Sequence, residues 1–599
     1  MDLLDYYRDN LSYLRRLSGE FAADFPKIAR RLLLSEIDCQ DPYIERLLEG
    51  TAFLAARVEK KLDEGYYPFL EAVLNSVAPD SLYPIPSGAV LEVMPNAMDE
   101  QAAKKAVIEV GTIFDANIPT INTPCRFSCA ATVPVVPFIF SEAEYINRDV
   151  ASIGIKNPQA ESALRLHFSA ASVLTKDMWI YLALSEADSS LLMRLMAQEL
   201  VGVYAGSGGK FLPVEGVRCV ISTPGAEIPY SQNVKPGVRG LRILRNYLNY
   251  PDFSKFISIQ GLGAGLAGSA TDELVFAFKR REQSLTAVVK ASSVRVNCIP
   301  VLNLFSHRSN RISLEEDTAA APYEFHIVPN RTAMRDYEVV AVKKIDFYNE
   351  RNELIMQALN FYDGDISADH KNPVFFSMKR RRKLVERRSI ARSSYDGTEV
   401  FVSFSPLSES RHDAWQFAAD LLVTNRDLPL LITGAVPLSS PSSVASRAAF
   451  VTLPTRPGYP LAERGDQEDF ARLSHVVMNL SAMLCQEGAR PLELLRNILR
   501  AYPLRPPEEM ERIMAGISAL SGTSDTFRFV RNGVVFYEWG WRLKLVFDED
   551  VFAGMGFYIF ARVLAELLLS LTPLNTIVEL EFSTLQSGVI AVWKTPEDR

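Results

Sequence analysis

Cysteine is scarce in this 599-residue sequence: six residues, Cys39, Cys125, Cys129, Cys219, Cys298 and Cys485, are scattered along the chain. That spread excludes a dense disulfide framework and predicts reduced thiols in a reducing compartment. Cys125 and Cys129 have no second cysteine pair or histidine near them in sequence, which argues against a zinc site. A long uncharged apolar run is also missing. The most apolar late segment, 556–574, carries Arg562 and Glu566 inside it. A membrane span needs ~20 mostly uncharged residues, so the segment reads as a buried or amphipathic helix and no direct membrane insertion is expected. The opening "MDLLDYYRDN" holds acids and no basic stretch, unlike a secretory signal. Positive charge is in deficit, with 64 Lys and Arg against 72 Asp and Glu, a net charge of −8. A general nucleic-acid binder needs a positive footprint, and this chain lacks one. No regular internal repeat is visible.

The sequences that imitate active sites fail on spacing. Gly263, Gly265 and Gly268 spell G-x-G-x-x-G after the apolar run Phe256–Ile259. A dinucleotide site needs a helix after the turn, because free amides at the helix N-terminus hold the pyrophosphate. Here a strand-like run, Leu274 to Phe278, follows too soon, so the spacing predicts a flexible bend in a hairpin connection. A cytosolic nucleotide-binding enzyme built on the 261–268 loop is the alternative to be tested. "YAGSGGKF" has Tyr204 where a P-loop needs glycine and Phe211 where it needs Ser or Thr. "DGDISADH", 363–370, gathers Asp363, Asp365, Asp369 and His370 but lacks the glycine and glutamate of a calcium loop, and reads as a solvated turn. Asp548, Glu549 and Asp550 read as a cap for the helix that follows, and His475 as a hydrogen-bonded core histidine. No catalytic residue, metal site or cofactor is expected.

What the chain has is patterning. Leu4, Tyr7, Leu11, Leu14, Phe21 and Phe25 recur at helical spacing before a break at Pro26. Asp41 and Pro42 suit the cap and first position of a second helix, whose face holds Ile44, Leu47, Leu48, Thr51, Ala55, Val58 and Leu62. A third helix is expected from Pro68 to Val77. The composition then shifts to short β-branched and aromatic runs such as "AVLEVM", "WIYLAL", "ELVFAF" and "YEVVAV", the signature of antiparallel strands, with a helical exception at 189–200. "KRRRKLVERRSIAR", 379–392, is the densest charge feature and reads as a solvated loop or a contact for an acidic partner, with nucleic acid as the other reading. Arg380, Arg381 and Arg382 are its candidate contact residues. The Pro- and Ser-rich stretch 437–465 reads as a loop or linker. Helices at 474–484 and 491–501, a hairpin turning near Asn532-Gly533, the helix at 556–571 and two closing strands complete the pattern.

The fold class is therefore α+β and multidomain. An N-terminal helical bundle or arm spans 1–80, and β-rich antiparallel middle domains follow, the first over 81–350. A second β-rich region with the basic segment and linker spans 351–465, and an α+β C-terminal domain spans 466–599. The stripe on the first helix suits a bundle, formed within the chain or with another chain.

Motifs in order narrow the function. The opening "YYRDNLSYLRRLSGEFAADFPKIARRL" and "DPYIERLLEGTAFLAARVEKKLDE", then "CIPVLNLF" (298–305), "TNRDLP" (424–429), "LSHVVMNLSAMLCQ" and the closing "DEDVFAGMGFYIFARVLAELLLSLTPLNTIVEL" resemble the TssF (ImpG/VasA) family of type VI secretion baseplate subunits. The resemblance covers nearly the whole chain. Phe470 stands near the usual tryptophan, and "VTN" replaces the usual "CTN". The family implies a non-enzymatic, phage-like scaffold in the bacterial cytoplasm, at the inner membrane. Two copies would join one TssG, and the wedge would assemble with TssK around the VgrG spike, with TssE and the tail tube and sheath as further partners. The resemblance favours the intermolecular reading of the N-terminal stripe and brings no catalytic residues with it.

Overall fold

A computed structural model describes residues 3–594 apart from 32–40, 97–104, 120, 174–176, 208–209, 223–235, 266–269, 315–323, 363–373, 383–392, 396, 406–414, 435, 459–473, 476–479, 486–489, 503–504, 532–533, 553 and 573–575. The chain divides into two compact units, with the N-terminal unit ending at Val77 and the second starting at Ala78.

The first unit is helical. Leu3–Asp24 and the short Pro26–Arg31 precede a 36-residue helix, Pro42–Val77. Asp41 caps that helix through its Oδ1, which accepts the Tyr43 N–H at 2.9 Å. The expected break at Pro68 does not occur, and the second and third helices are one. A proline inside a helix removes one hydrogen bond at a cost of roughly 3 kcal/mol but does not forbid continuation when packing on both sides favours it. Ala52 and Ala56 before it and Leu74 after it are buried. The first helix runs antiparallel to the long one. Asn10 donates to Glu59 Oε2 at 2.6 Å, whereas Arg15, further along, pairs with the earlier Glu45.

In the second unit a closed six-stranded barrel joins distant segments: Gly88–Met94, Cys298–Leu302, Cys125–Cys129, Ile113–Ala116, Leu438–Ser439 and Arg447–Phe450. The last two lie inside the stretch read as a linker. Their short strands carry few residues apiece, so composition masked them, yet they close the barrel by pairing with Ile113–Ala116 and Gly88–Met94. An eight-stranded sheet runs from Phe305–Arg308 through Gln416–Thr424, Glu338–Tyr348, Leu354–Asn360, Val374–Arg382 and Thr398–Ser405 to Phe325–His326, with Ile312–Ser313 also paired to Gln416–Thr424. The boundary expected at 350/351 falls within this sheet.

Two further sheets carry the middle of the chain. Phe256–Gln260 pairs with Arg218–Ser222 and Met178–Leu182, and Ala270–Phe278 pairs with Ser162–Val173 and Leu200–Ser207. The glycine loop between Gln260 and Ala270 thus crosses from one sheet to another and is not a hairpin. Local spacing shows that two strands exist but not which partners they take. A single helical turn, Leu262–Gly265, opens the crossing, and Gly268 lies outside the described residues. The position that needs glycine is Gly261, whose φ is 86° and where a Cβ would sit 2.5 Å from the Gly216 carbonyl oxygen. Gly261→Ala is expected to lower stability by about 1–3 kcal/mol, while Gly263→Ala changes it by under about 1 kcal/mol. Thermal unfolding of the two variants reads the difference, and equal midpoints would contradict it.

The C-terminal segment is not set apart. Helix Phe557–Ser570, the apolar segment read as a buried or amphipathic helix, is buried along nearly its whole length, with Arg562 and Glu566 paired at 2.6 Å. It shares one core with helices Glu186–Gln198 and Pro236–Asn249 and with the closing sheet, whose order is Ile517–Arg531, Val534–Phe547, Ile577–Thr584, Gly588–Lys594. A polar tie reinforces this. Tyr247 donates to Glu186 Oε1 at 2.6 Å, and Arg505 bonds the same carboxylate at 3.2 Å, so helices far apart in sequence are held together.

Candidate functional site

The arm carries exposed apolar side chains. Tyr6 is buried, and Tyr7, Leu11 and Leu14 are half-buried on the side of the first helix that meets the long one. Leu4, Phe21 and Phe25 are exposed, with Phe21 and Phe25 in ring contact at 5.2 Å. The single stripe read from the sequence is therefore covered in its middle, at Tyr7, Leu11 and Leu14, and open at its ends, at Leu4 and at Phe21 and Phe25. The long helix divides into two sides. Ile44, Leu48, Ala55 and the buried Ala52 and Ala56 line its inner side. Leu47, Leu54, Val58 and Leu62 are 71%, 62%, 60% and 70% exposed. They stand seven, four and four residues apart, which puts them along one line of the helix. Sequence periodicity missed Leu54 because it grouped Leu47 and Val58 with the inner face.

The basic segment is not a loop where it is described. Lys379 to Arg382 end the strand Val374–Arg382, and 383–392 lie outside the described residues. Arg380 turns inward. Its guanidinium donates to the Val339 carbonyl at 2.7 Å, the Val340 carbonyl at 2.6 Å and Thr398 Oγ1 at 2.8 Å. Thr398 passes the chain on to Glu338, a buried carboxylate that also accepts from Tyr395 at 2.7 Å. Arg381 is exposed, pairs with Glu324 and lies 4.7 Å from the Phe401 ring centre. The side chain of Arg382 is outside the described set. Arg380 belongs to the fold and Arg381 to the surface, so the three do not form one contact patch.

A buried polar latch fastens the barrel to the eight-stranded sheet. Asn303 and Asn425 are fully buried. The Asn425 N–H donates to Asn303 Oδ1 at 2.7 Å, and Asn303 Nδ2 donates to Asn425 Oδ1 at 2.9 Å and to the Arg126 carbonyl at 2.6 Å. The Arg126 N–H completes the knot with a 2.8 Å bond to Asn425 Oδ1. Buried amides are tolerable only when satisfied in this way.

Among the described residues no group of three or more His, Cys, Asp or Glu could hold a metal ion. The sequence 363–370 lies outside the described residues, as does Gly209. Asp548 does not cap the following helix, which starts at Phe557; its Oδ1 accepts from Asp550 N–H and from Gln586. His475 is buried, but its Nδ1 has no hydrogen-bond partner among the described residues, and burial pushes its pKa down, so it is a neutral core residue. A cleft is lined by His326, Tyr337, Glu338, Thr398, Glu399 and Arg426, and its Glu338 is already tied to Tyr395 and Thr398. Cys125, Cys129, Cys219 and Cys298 are free thiols, and burial raises Cys129 and Cys219 to about 12. These four thiols are expected to resist a thiol reagent in the native protein and react at once on denaturation; fast native modification of Cys125 or Cys129 would contradict their burial.

Against this geometry, the family profile described as "Type VI secretion system, TssF" matches residues 1–597. The chain belongs to the TssF family. It is 28% identical over 616 residues to the type VI secretion system component TssF1 of Pseudomonas aeruginosa strain PAO1, covering 99% of this chain and 98% of that protein. It also resembles a chain of a TssK–TssF–TssG baseplate subcomplex, with a TM-score of 0.71 at 19% identity, covering 93% of this chain and 99% of that one. A second likeness, to a chain of a type VI baseplate complex, has a TM-score of 0.55 at 17% identity over 99% of this chain and 98% of that chain. The two stretches that carried the family resemblance most specifically, 298–305 and 424–429, contain Asn303 and Asn425. In this TssF-family chain they meet at the latch.

Proposed function

We propose that the chain is a non-enzymatic structural subunit of the type VI secretion baseplate wedge. Two copies would join one TssG and assemble with TssK around the VgrG spike, beside TssE and beneath the tail tube and sheath. The work would be done in the cytoplasm at the inner membrane. Family membership and the fold shared with chains of baseplate complexes support this reading. One observation carries it: the line Leu47, Leu54, Val58 and Leu62 on the long helix is open to solvent. Covering one such leucine is worth about 1.5–3 kcal/mol, and an apolar line at helical spacing is what a helix of another chain packs against.

The test replaces Leu54 and Val58 with aspartate in a chain co-expressed with TssG. Because both are exposed, the subunit is expected to stay folded and soluble while TssG is lost from the purified complex. Leu11 and Leu14 make a poorer test, since both are half-buried inside the arm. Recovery of TssG at wild-type yield would remove the arm from the interface.

A further inference from the structure

The closing sheet has a projection that none of the described residues covers. Strands Ile517–Arg531 and Val534–Phe547 pair along their full length, but Ile577–Thr584 lies beside only Gly540–Phe547. The third strand begins against Gly540, where a Cβ would sit 2.0 Å from the Ile577 carbonyl oxygen. Beyond that point the chain is a two-stranded ribbon, reaching roughly 20 Å at the rise of an extended strand. A hairpin without a third strand or a covering layer is marginal in water.

Its side chains are those of an interior. Cross-strand partners share a face, so Leu545, Leu543, Trp541, Trp539, Tyr537 and Val535 follow one another along one side of the sheet. The first two are fully buried, and Trp541 is 5% exposed. Trp539 is 48% and Tyr537 70% exposed, although Trp539 stays in edge contact with Trp541 at 5.2 Å. The inner part of this face lies under helix Phe557–Ser570, through Phe547 and Phe560 at 6.2 Å, and under Leu484, which touches Gly522. The apolar line thus continues past the edge of its helical layer.

The polar groups on that face say what completes it. The Trp541 indole N–H is buried and has no hydrogen-bond partner among the described residues. Arg528 stands opposite Tyr537, is exposed, and forms no ion pair among the described residues. Trp541, Arg528 and Tyr537 all bring donors, while the nearest carboxylate on the ribbon, Glu538, alternates to the other side. We propose that this face is a docking platform for an amphipathic helix of a different subunit, apolar along its contact side and carrying a carboxylate that meets Arg528. The helix would extend the layer that Phe557–Ser570 begins, and its acceptors would meet the exposed donors of Arg528 and Tyr537. A second copy docked face to face does not fit, because Arg528 would then meet a donor-rich surface with no anion. Tryptophan, tyrosine and arginine together are also the residues that dominate binding energy at protein interfaces.

The inference rests on the baseplate reading and is tested apart from it. A photoreactive benzoylphenylalanine at Tyr537, in the full chain co-expressed with TssG and TssK, is irradiated in the purified complex, and the linked peptide is identified by mass spectrometry. The expected product joins this ribbon to a helical segment of another subunit that contains Asp or Glu. Arg528→Glu is expected to cut the yield at least about tenfold, and changing the linked acid to lysine in the same complex to restore it. Products between two copies of this chain would overturn the proposal. So would a yield no higher than at the exposed Val592, in a complex that otherwise assembles. Failure of the unmodified chain to assemble would bring down the baseplate reading, and this inference with it.

Discussion

Asn425→Leu is expected to loosen the junction between the barrel and the eight-stranded sheet by about 3 kcal/mol. The substitution leaves the Arg126 N–H, now bonded at 2.8 Å, without an acceptor, and takes one of the acceptors of Asn303 Nδ2. A buried donor left unmade costs roughly 1–3 kcal/mol, and leucine cannot receive either bond. The chain is too large for a single unfolding free energy to describe it. Amide exchange resolves the effect locally: protection in Cys125–Cys129 and Gln416–Thr424 should fall by roughly 100-fold, with the arm unchanged. Asn303→Leu should resemble it, and the double variant should cost clearly less than the sum, because the two side chains share bonds. Additive losses, or protection unchanged in Asn425→Leu, would show that the latch does not hold the junction.

The latch also marks how far the sequence could be read. Its two segments stood out as specific motifs, yet nothing in either predicts that Asn303 and Asn425, 122 residues apart, bond to each other. Periodicity found the first helix, the capping Asp41 and the buried segment 557–570, because those are set by neighbours three and four residues away, but not the helices Pro236–Asn249 and Pro507–Gly516. It failed where the deciding contact was distant. The four strand residues of 447–450 were hidden in a loop-like composition until the barrel closed around them. The strands flanking the glycine loop were visible, but their membership of different sheets was not. On the arm, spacing located apolar residues on two helices but could not tell the inner line from the outer one, since both repeat at three and four. The open line on the long helix needed the packing of its neighbour to be known.

Arg380→Glu and Arg381→Glu, adjacent changes of identical chemistry, are expected to have opposite consequences. At Arg380 the new carboxylate would replace a cation that donates to two carbonyls and to Thr398. Those carbonyls would lose their donors, and the introduced charge would stand one hydroxyl away from the buried Glu338. Breaking a buried charged network in this way costs on the order of 3–5 kcal/mol, enough to release the strand pair Val374–Arg382 and Thr398–Ser405. Arg381 is exposed beside Glu324, where screening by water keeps an ion pair near or below ~1 kcal/mol. Its reversal should leave the fold intact and alter only surface charge. Limited proteolysis separates the two: Arg380→Glu should be cut within the eight-stranded sheet at protease levels that spare the wild type, and Arg381→Glu should match the wild type. If both variants resist equally, Arg380 contributes no more to the fold than its exposed neighbour, and the whole basic strand end is again available as a contact surface. If only Arg380→Glu fails, loss of assembly in a triple reversal of Arg380, Arg381 and Arg382 reports misfolding, and Arg381 alone carries the test of an acidic partner.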